Sequence, residues 1–153
     1  MADVLKRDLN FDSEDLPGAG AAGGLGAGAA AFLNAELRSG IDIVLDEFGF
    51  DKFAANADVV ITGEGRFDSQ STNGKVMSGV CRRAAKAGAK VYAVCGCASN
   101  DADPAALGIE KLFVSSDGTH SMDELQLSCR QELFDAASAL AEEIMPVSYT
   151  HLR

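Results

Sequence analysis

The chain has 153 residues, 47% hydrophobic and 24% charged, and its 13 Lys and Arg against 23 Asp and Glu give a net charge of −10. This is the composition of a globular domain of ordinary size, and the acidic balance, with a pI near 4.5, repels phosphate backbones and excludes nucleic-acid binding by charge neutralisation. There is no apolar run of about 18 residues and no basic start followed by an apolar stretch, so the expectation is a cytoplasmic protein without membrane contact.

Residues 1–17 show weak periodicity and end in an acidic stretch closed by Pro17, which predicts a short helix or loop leading to an exposed turn. Residues 18–31 are six Gly, seven Ala and one Leu. Each internal Gly penalises a helix by up to about 1 kcal/mol, so the glycine-dense front reads as a loop and the alanine-rich back as a helix. That helix is expected to continue through Phe32, Leu33 and Leu37 and to stop at Gly40. Ile41, Val44, Leu45, Phe48 and Phe53 then recur at helical spacing, broken at Gly49, which predicts one or two short helices.

Ala57 to Thr62 is a β-branched run bounded by Gly63, the pattern of a buried strand. A polar loop, Gly63 to Gly74, follows it. From Lys75 to Gly88, Val76, Val80 and Ala84 share a face with Met77, Cys81 and Ala85 alongside, while Arg82, Arg83 and Lys86 lie on the other; this is an amphipathic helix. Strands are expected at Lys90–Cys95 and Lys111–Ser115, with a turn through Asn100, Asp101 and Asp103-Pro104 between them. Strand, helix, strand with short connections is a βαβ unit and implies a parallel sheet. Ser121 to Glu124 is a capping box that opens a last helix with Leu125, Cys129, Leu133, Phe134, Ala137, Leu140 and Ile144 on one face, read as core. Three strands make a narrow parallel sheet, so the chain is expected to be part of a larger protein.

Cys81, Cys95, Cys97 and Cys129 lack the paired spacing of a zinc site, and His120 and His151 lie far from them in sequence. They are expected to be reduced and mostly buried. Cys95-Gly-Cys97 ends an apolar run and is read as packing rather than as a redox pair.

Three segments carry possible chemistry. Gly18-Ala-Gly20-Ala-Ala-Gly23 matches the dinucleotide pattern G-x-G-x-x-G, which works only when a strand delivers the loop to a helix N-terminus. Ser13 to Pro17 does not read as that strand. Gly74-Lys75 is no P-loop either, because Ser69 stands where the first glycine is required. The segment Gly63-Glu-Gly-Arg-Phe-Asp-Ser-Gln-Ser-Thr-Asn-Gly-Lys75 is more informative, since it lies at the carboxyl end of a parallel strand and before a helix, where open α/β sheets place ligands. Gly63 and Gly65 allow backbone approach; Glu64 and Asp68 offer hard oxygens for Mg²⁺ or a base; Arg66 can grip a carboxylate or phosphate in a fork. Ser71, Thr72 or Asn73 can cap the next helix, whose N-terminal amides, with Lys75, favour an anion. A solvated loop with an ordinary cap is the plainer alternative. Ser115 to His120, at the end of the third strand, could add Asp117 or His120, although a capped turn explains it equally well.

Together, Asp15 to Gly24, the stretch from Ala31 to Ile41, and Asp58 to Ser71 with Gly74-Lys75-Val76 resemble the bacterial glycerate kinase family, which phosphorylates D-glycerate at the 2-position. The resemblance runs from about residue 13 to about residue 145. It implies a truncated two-domain α/β fold: residues 1–50 would be the carboxyl-terminal part of the second domain, and 57–145 that of a Rossmann-like domain. Residues 147–153 do not resemble the family's final helix and are read as a non-native tail. The family uses ATP and a divalent cation, here Mg²⁺, in a cleft between its domains. Its chains are more than twice this length and begin with a strand and loop of the form APDSFK that does not occur here, so this fragment alone is expected to be inactive.

Carried onto this sequence, the resemblance implies that Arg66 or Lys75 holds the glycerate carboxylate or the transferring phosphate. Asp68 is the base or a metal ligand, and Glu64 supports the metal. Gly18, Gly20, Gly23, Gly24, Gly63, Gly65, Ser69 and Gln70 contact substrate or phosphate. A nucleotide-binding, dehydrogenase-like module is the alternative and needs a strand directly before Gly18; an inactive remnant that keeps the fold is the third reading.

Overall fold

The computed structural model describes residues 1–72 and 76–145. Its elements are α1 (Ala2–Leu9), α2 (Ala21–Leu33), α3 (Gly40–Glu47), α4 (Phe50–Ala54), β1 (Val59–Phe67), α5 (Val76–Ala87), β2 (Lys90–Ala98), β3 (Ile109–Val114) and α6 (Met122–Ile144). Two compact units result, Met1–Val44 and the chain from Leu45 onward. Asn73, Gly74, Lys75 and the tail 147–153 lie outside the described residues.

In the first unit, Leu5, Ala19 and Ala27 form a small buried cluster with Phe11, Leu16 and Ala31 against it. The glycine-dense front is the loop expected, with a turn at 17–20. It runs on through a kink in which Ala22, Gly23 and Gly24 are all at positive φ (51°, 68° and 98°), so α2 is regular only beyond them. Helix α2 ends at Leu33 rather than Gly40, because Asn34 adopts the left-handed conformation at φ 50° and the next N–H, that of Ala35, turns back to Ala29 O at 3.3 Å. Gly40 instead opens α3.

The second unit is α/β, built on a three-stranded parallel sheet in the order β1-β2-β3. The two short helices expected before it are α3 and α4, separated at Gly49 with φ 63°. Strand β1 runs five residues beyond the β-branched stretch, through Gly63 to Phe67. Its pairing with β2 continues to Phe67 opposite Ala98, and Phe67 is fully buried. Full burial of a side chain of that size contributes about 1.5–3 kcal/mol, enough to hold the polar residues 63–66 in the strand.

The two sheet faces are covered unequally. On the α5 side, Phe67, Met77, Cys81, Ala84, Val91, Ala93, Cys95 and Ile109 make a dry cluster; β2 supplies every second residue, as strand alternation requires. Burial pushes the thiols of Cys81 and Cys95 up to about 11. Cys97 is only partly buried and Cys129 is exposed, and all four are free. Arg83, on the face of α5 opposite the apolar one, is only 13% exposed in its side chain. It donates to Asp46 at 2.5 Å and to both oxygens of Asp51 at 3.3 Å, tying α3 and α4 to α5.

The other face has α6, whose capping box is present: Ser121 Oγ accepts from the Glu124 N–H and Glu124 Oε2 from the Ser121 N–H. Among the described residues, Ala136 and Leu140 of α6 are buried with Phe113, and Tyr92, Val94 and Ile144, the last also from α6, pack alongside. Most of the apolar face read as core is therefore exposed, including Leu133 and Phe134. The 23 residues of α6 span about 34 Å, whereas the 6 residues of β3 span about 20 Å. Among the described residues no helix is long and apolar enough to cross a membrane.

Candidate functional site

The carboxyl end of the sheet gathers residues from three connections. Beyond Phe67, the chain turns at once: Ser71 N–H donates to Asp68 O at 2.9 Å, and Ser71 Oγ accepts from the Asp68 N–H at 3.1 Å. Ser71 is completely buried. This hydroxyl closes the loop that carries Asp68 and Ser69, and β1 itself carries Gly63, Glu64, Gly65 and Arg66. From β3, Ser115 N–H donates to Cys95 O at 2.9 Å and Ser116 N–H to Gly96 O at 2.8 Å, extending the ladder to the same edge.

Arg66 and Asp68 form a loose ion pair, Nε to Oδ2 3.9 Å, with the Arg66 side chain 67% exposed and Asp68 25%. Glu64 behaves differently: its Oε1 is buried and has no hydrogen-bond partner among the described residues. A buried acceptor left unpaired costs on the order of 1–3 kcal/mol, so such an atom is a marker for a missing partner. Glu64 borders a groove of about 390 Å³ with Gly63, Gly65, Gly96, Ser115 and Cys129. A larger cavity, about 770 Å³, lies at the amino end of the strands between Asp58, Lys90 and Glu143. Parallel sheets bind at the opposite edge, and Glu143 is already engaged by Lys111 at 2.6 Å.

Gly63 has a structural duty independent of any ligand, since a Cβ there would stand 2.6 Å from Val94 O, whereas a Cβ on Gly65 meets nothing within 4 Å. Ser69 is exposed. Gln70 contributes backbone to the short 3₁₀ turn Ser69–Thr72, while its side chain, like Lys75, lies outside the description. Asp117 accepts from Thr119 N–H at 2.9 Å and from its hydroxyl at 2.6 Å, which holds the Asp117 carboxyl below its ordinary range. That is a capped turn; His120 Nδ1 stands 3.7 Å from Asp117 and 3.8 Å from Glu132.

Asp101, read from the sequence only as part of a turn, and Ser99, not singled out in the sequence, belong to this edge. Ser99 N–H donates to Phe67 O at 2.9 Å, and the Ser99 hydroxyl bonds Asp101. Hydrogen bonds from Ser99 and Ser69, and the charge of Arg66, hold the Asp101 carboxyl below its ordinary range. The rule that α/β ligand sites sit beyond strand ends applied to β2 as much as to β1 and could have found them.

Gly18, Gly20, Gly23 and Gly24 are in the other unit. No strand precedes them: residues 10–17 are irregular, with a turn at Glu14-Asp15. The dinucleotide reading therefore fails on the element it required. Gly18 O instead accepts from the Ala21 N–H at 3.0 Å and Ala19 O from the Ala27 N–H at 2.9 Å, folding the loop onto the body of α2.

The sequence model of the Glycerate kinase family matches residues 1–145. The chain belongs to the glycerate kinase family. Glycerate 2-kinase of Escherichia coli is 48% identical over 100 residues, which are 65% of this chain and 26% of that protein. Glycerate kinase of Bacillus cereus is 43% identical over 124 residues, 80% of this chain and 32% of that one. A crystal structure of a protein assigned as glycerate kinase 2 from Salmonella typhimurium superposes with a TM-score of 0.58 at 36% identity, covering 94% of this chain and 38% of the other. The chain thus spans between a quarter and two fifths of the length of these relatives. The family match covers the loop at 18–24 and the segment 63–72 alike.

Proposed function

We propose that this chain supplies part of the active site of a cytoplasmic, ATP-dependent glycerate kinase, which moves the γ-phosphoryl group of ATP to D-glycerate and gives 2-phosphoglycerate. Supporting it most is the crowding of Glu64, Arg66 and Asp68 at the carboxyl end of β1, with one buried Glu64 oxygen lacking a partner.

Phosphoryl transfer needs positioning, charge neutralisation at the phosphates and an acceptor for the proton of the attacking hydroxyl. Arg66, largely exposed at the strand end, presents a planar fork to a carboxylate or phosphate. Asp68 is accessible enough to take the proton of the glycerate hydroxyl, and its backbone is fixed by Ser71. The unpaired Glu64 oxygen fits a hard cation. Among the described residues no set of three His, Cys, Asp or Glu side chains could hold a metal alone, and Mg²⁺ commonly takes one or two carboxylates together with substrate phosphates. When bound, Mg²⁺ neutralises charge on the transferring phosphates. The loop at 18–24 offers backbone contacts to substrate or phosphate, and Lys75 a second cation.

Asp68→Asn, introduced at the matching position of a full-length relative, is expected to lower kcat about 100-fold or more with a smaller change in KM. A loss under threefold would remove Asp68 from the role of base. A coupled assay on the 153-residue chain alone is expected to show no glycerate-dependent consumption of ATP, because the activity of the relatives belongs to chains more than twice as long; turnover by the isolated chain would contradict this.

A further inference from the structure

The loop that carries Asp68 and Ser69 is held from its own side by Ser71 and from the neighbouring strand by Ser99. Both the N–H and the hydroxyl of Ser99 point at Phe67 O, at 2.9 and 3.4 Å. The same hydroxyl also bonds Asp101, in the connection between β2 and β3. Asp101 therefore links the end of β2 to the loop after β1, whose Asp68 pairs loosely with Arg66 at 3.9 Å, and the charge of Arg66 acts on Asp101 as well. An exposed pair as loose as Arg66–Asp68 is worth about 1 kcal/mol or less, so a doubly charged phosphate competes well for the fork.

We infer that Asp101 is a positioning residue for the anion site at the end of β1: by bonding the hydroxyls of Ser99 and Ser69 it fixes the Asp68–Ser71 loop, and with it the carboxylate that pairs with Arg66. Its role toward ligand rests on the proposed function above. Asp101 is itself exposed, so its substitution leaves the buried cluster under α5 intact.

The test uses Asp101→Ala and Asp101→Asn in the 153-residue chain, read by amide exchange at Ser71, by the NMR signal of Arg66 Nε–H, and by titration with inorganic pyrophosphate. Asp101→Ala is expected to speed exchange at Ser71 about tenfold, the equivalent of one ordinary hydrogen bond, and to move the Arg66 signal. Pyrophosphate binding is expected to weaken about fivefold. Asn keeps the acceptor oxygen and removes the charge, so Asp101→Asn should hold Ser71 exchange within about twofold, still move the Arg66 signal, and bind pyrophosphate at least as tightly as the parent. Two results would overturn the inference: Ser71 and Arg66 unchanged in Asp101→Ala, or exchange accelerated equally at Cys81 in the core, which would make Asp101 a general stabiliser. If substitutions matching Arg66→Ala and Asp68→Asn leave the activity of a full-length relative unchanged, the proposed function fails, while the exchange and Arg66 readings still decide the role of Asp101.

Discussion

The two glycine-bearing regions that drew notice in the sequence use the same residue for different physical ends. At 18–26, three consecutive residues at positive φ, Ala22 to Gly24, turn the chain left-handed, and Gly26 lets the helix lie on the loop's own carbonyl. At 63–65 and 96 the backbone is ordinary strand, and glycine serves proximity across the sheet: a Cβ on Gly63 would meet Val94 O at 2.6 Å, and one on Gly96 would meet Gly65 O at 2.5 Å. A dense run of glycines thus marks a fold of backbone on itself, while scattered glycines at matching heights on two strands mark a close pair. Neither pattern by itself marks a ligand.

The first way to break this distinction is Gly26→Ala. Its Cβ would sit 2.2 Å from Gly18 O, a clash with backbone that no rotamer change relieves. Overpacking of this kind costs about 1–3 kcal/mol and can exceed it, and this position is expected at the upper end, with the Ala27 amide, bonded to Ala19 O at 2.9 Å, losing its exchange protection. Protection within twofold of the parent would show that the loop does not rest on α2 as described. Gly96→Ala is expected to be milder, about 1–2 kcal/mol by thermal unfolding, because strands can part by a few tenths of an ångström along an edge where α6 covers little. A loss equal to that of Gly26→Ala would put the two regions in one class.

What could be read from the sequence follows from where the cause lies. The βαβ order, the parallel sheet, the capping box at Ser121 and the two short helices around Gly49 are encoded locally, in β-branched runs, helical spacing and cap residues, and all are present. Misreadings came where a partner distant in sequence decides. Arg83 reads as a surface residue until Asp46 and Asp51 are brought to it. Strand β1 reads as ending at Gly63 until β2 offers a ladder through Ala98 and a pocket for Phe67. The apolar stripe of α6 reads as core, yet Ala136 and Leu140 pack on the sheet while Cys129 and Leu133 border the open groove at its carboxyl end. At the site, Glu64, Arg66 and Asp68 were legible because they share one short segment, whereas Ser99 and Asp101 reach it across the sheet from residues about thirty positions further on.

Gly65→Ala is the smallest perturbation and the sharpest. Nothing lies within 4 Å of a Cβ there, its φ is not positive, and Gly63 and Gly96 have neighbours that explain them. Replacing a glycine in an unstrained conformation lowers the entropy of the unfolded chain, so stability should hold or rise by up to about 1 kcal/mol. If open space beside Gly65 is kept for a ligand, affinity for glycerate or MgATP in a full-length relative should fall severalfold with no loss of stability. A variant that is stable and also binds normally would show that Gly65 is as indifferent to ligand as its neighbour Gly63 is committed to Val94. The functional weight of the segment would then rest on its charged side chains alone.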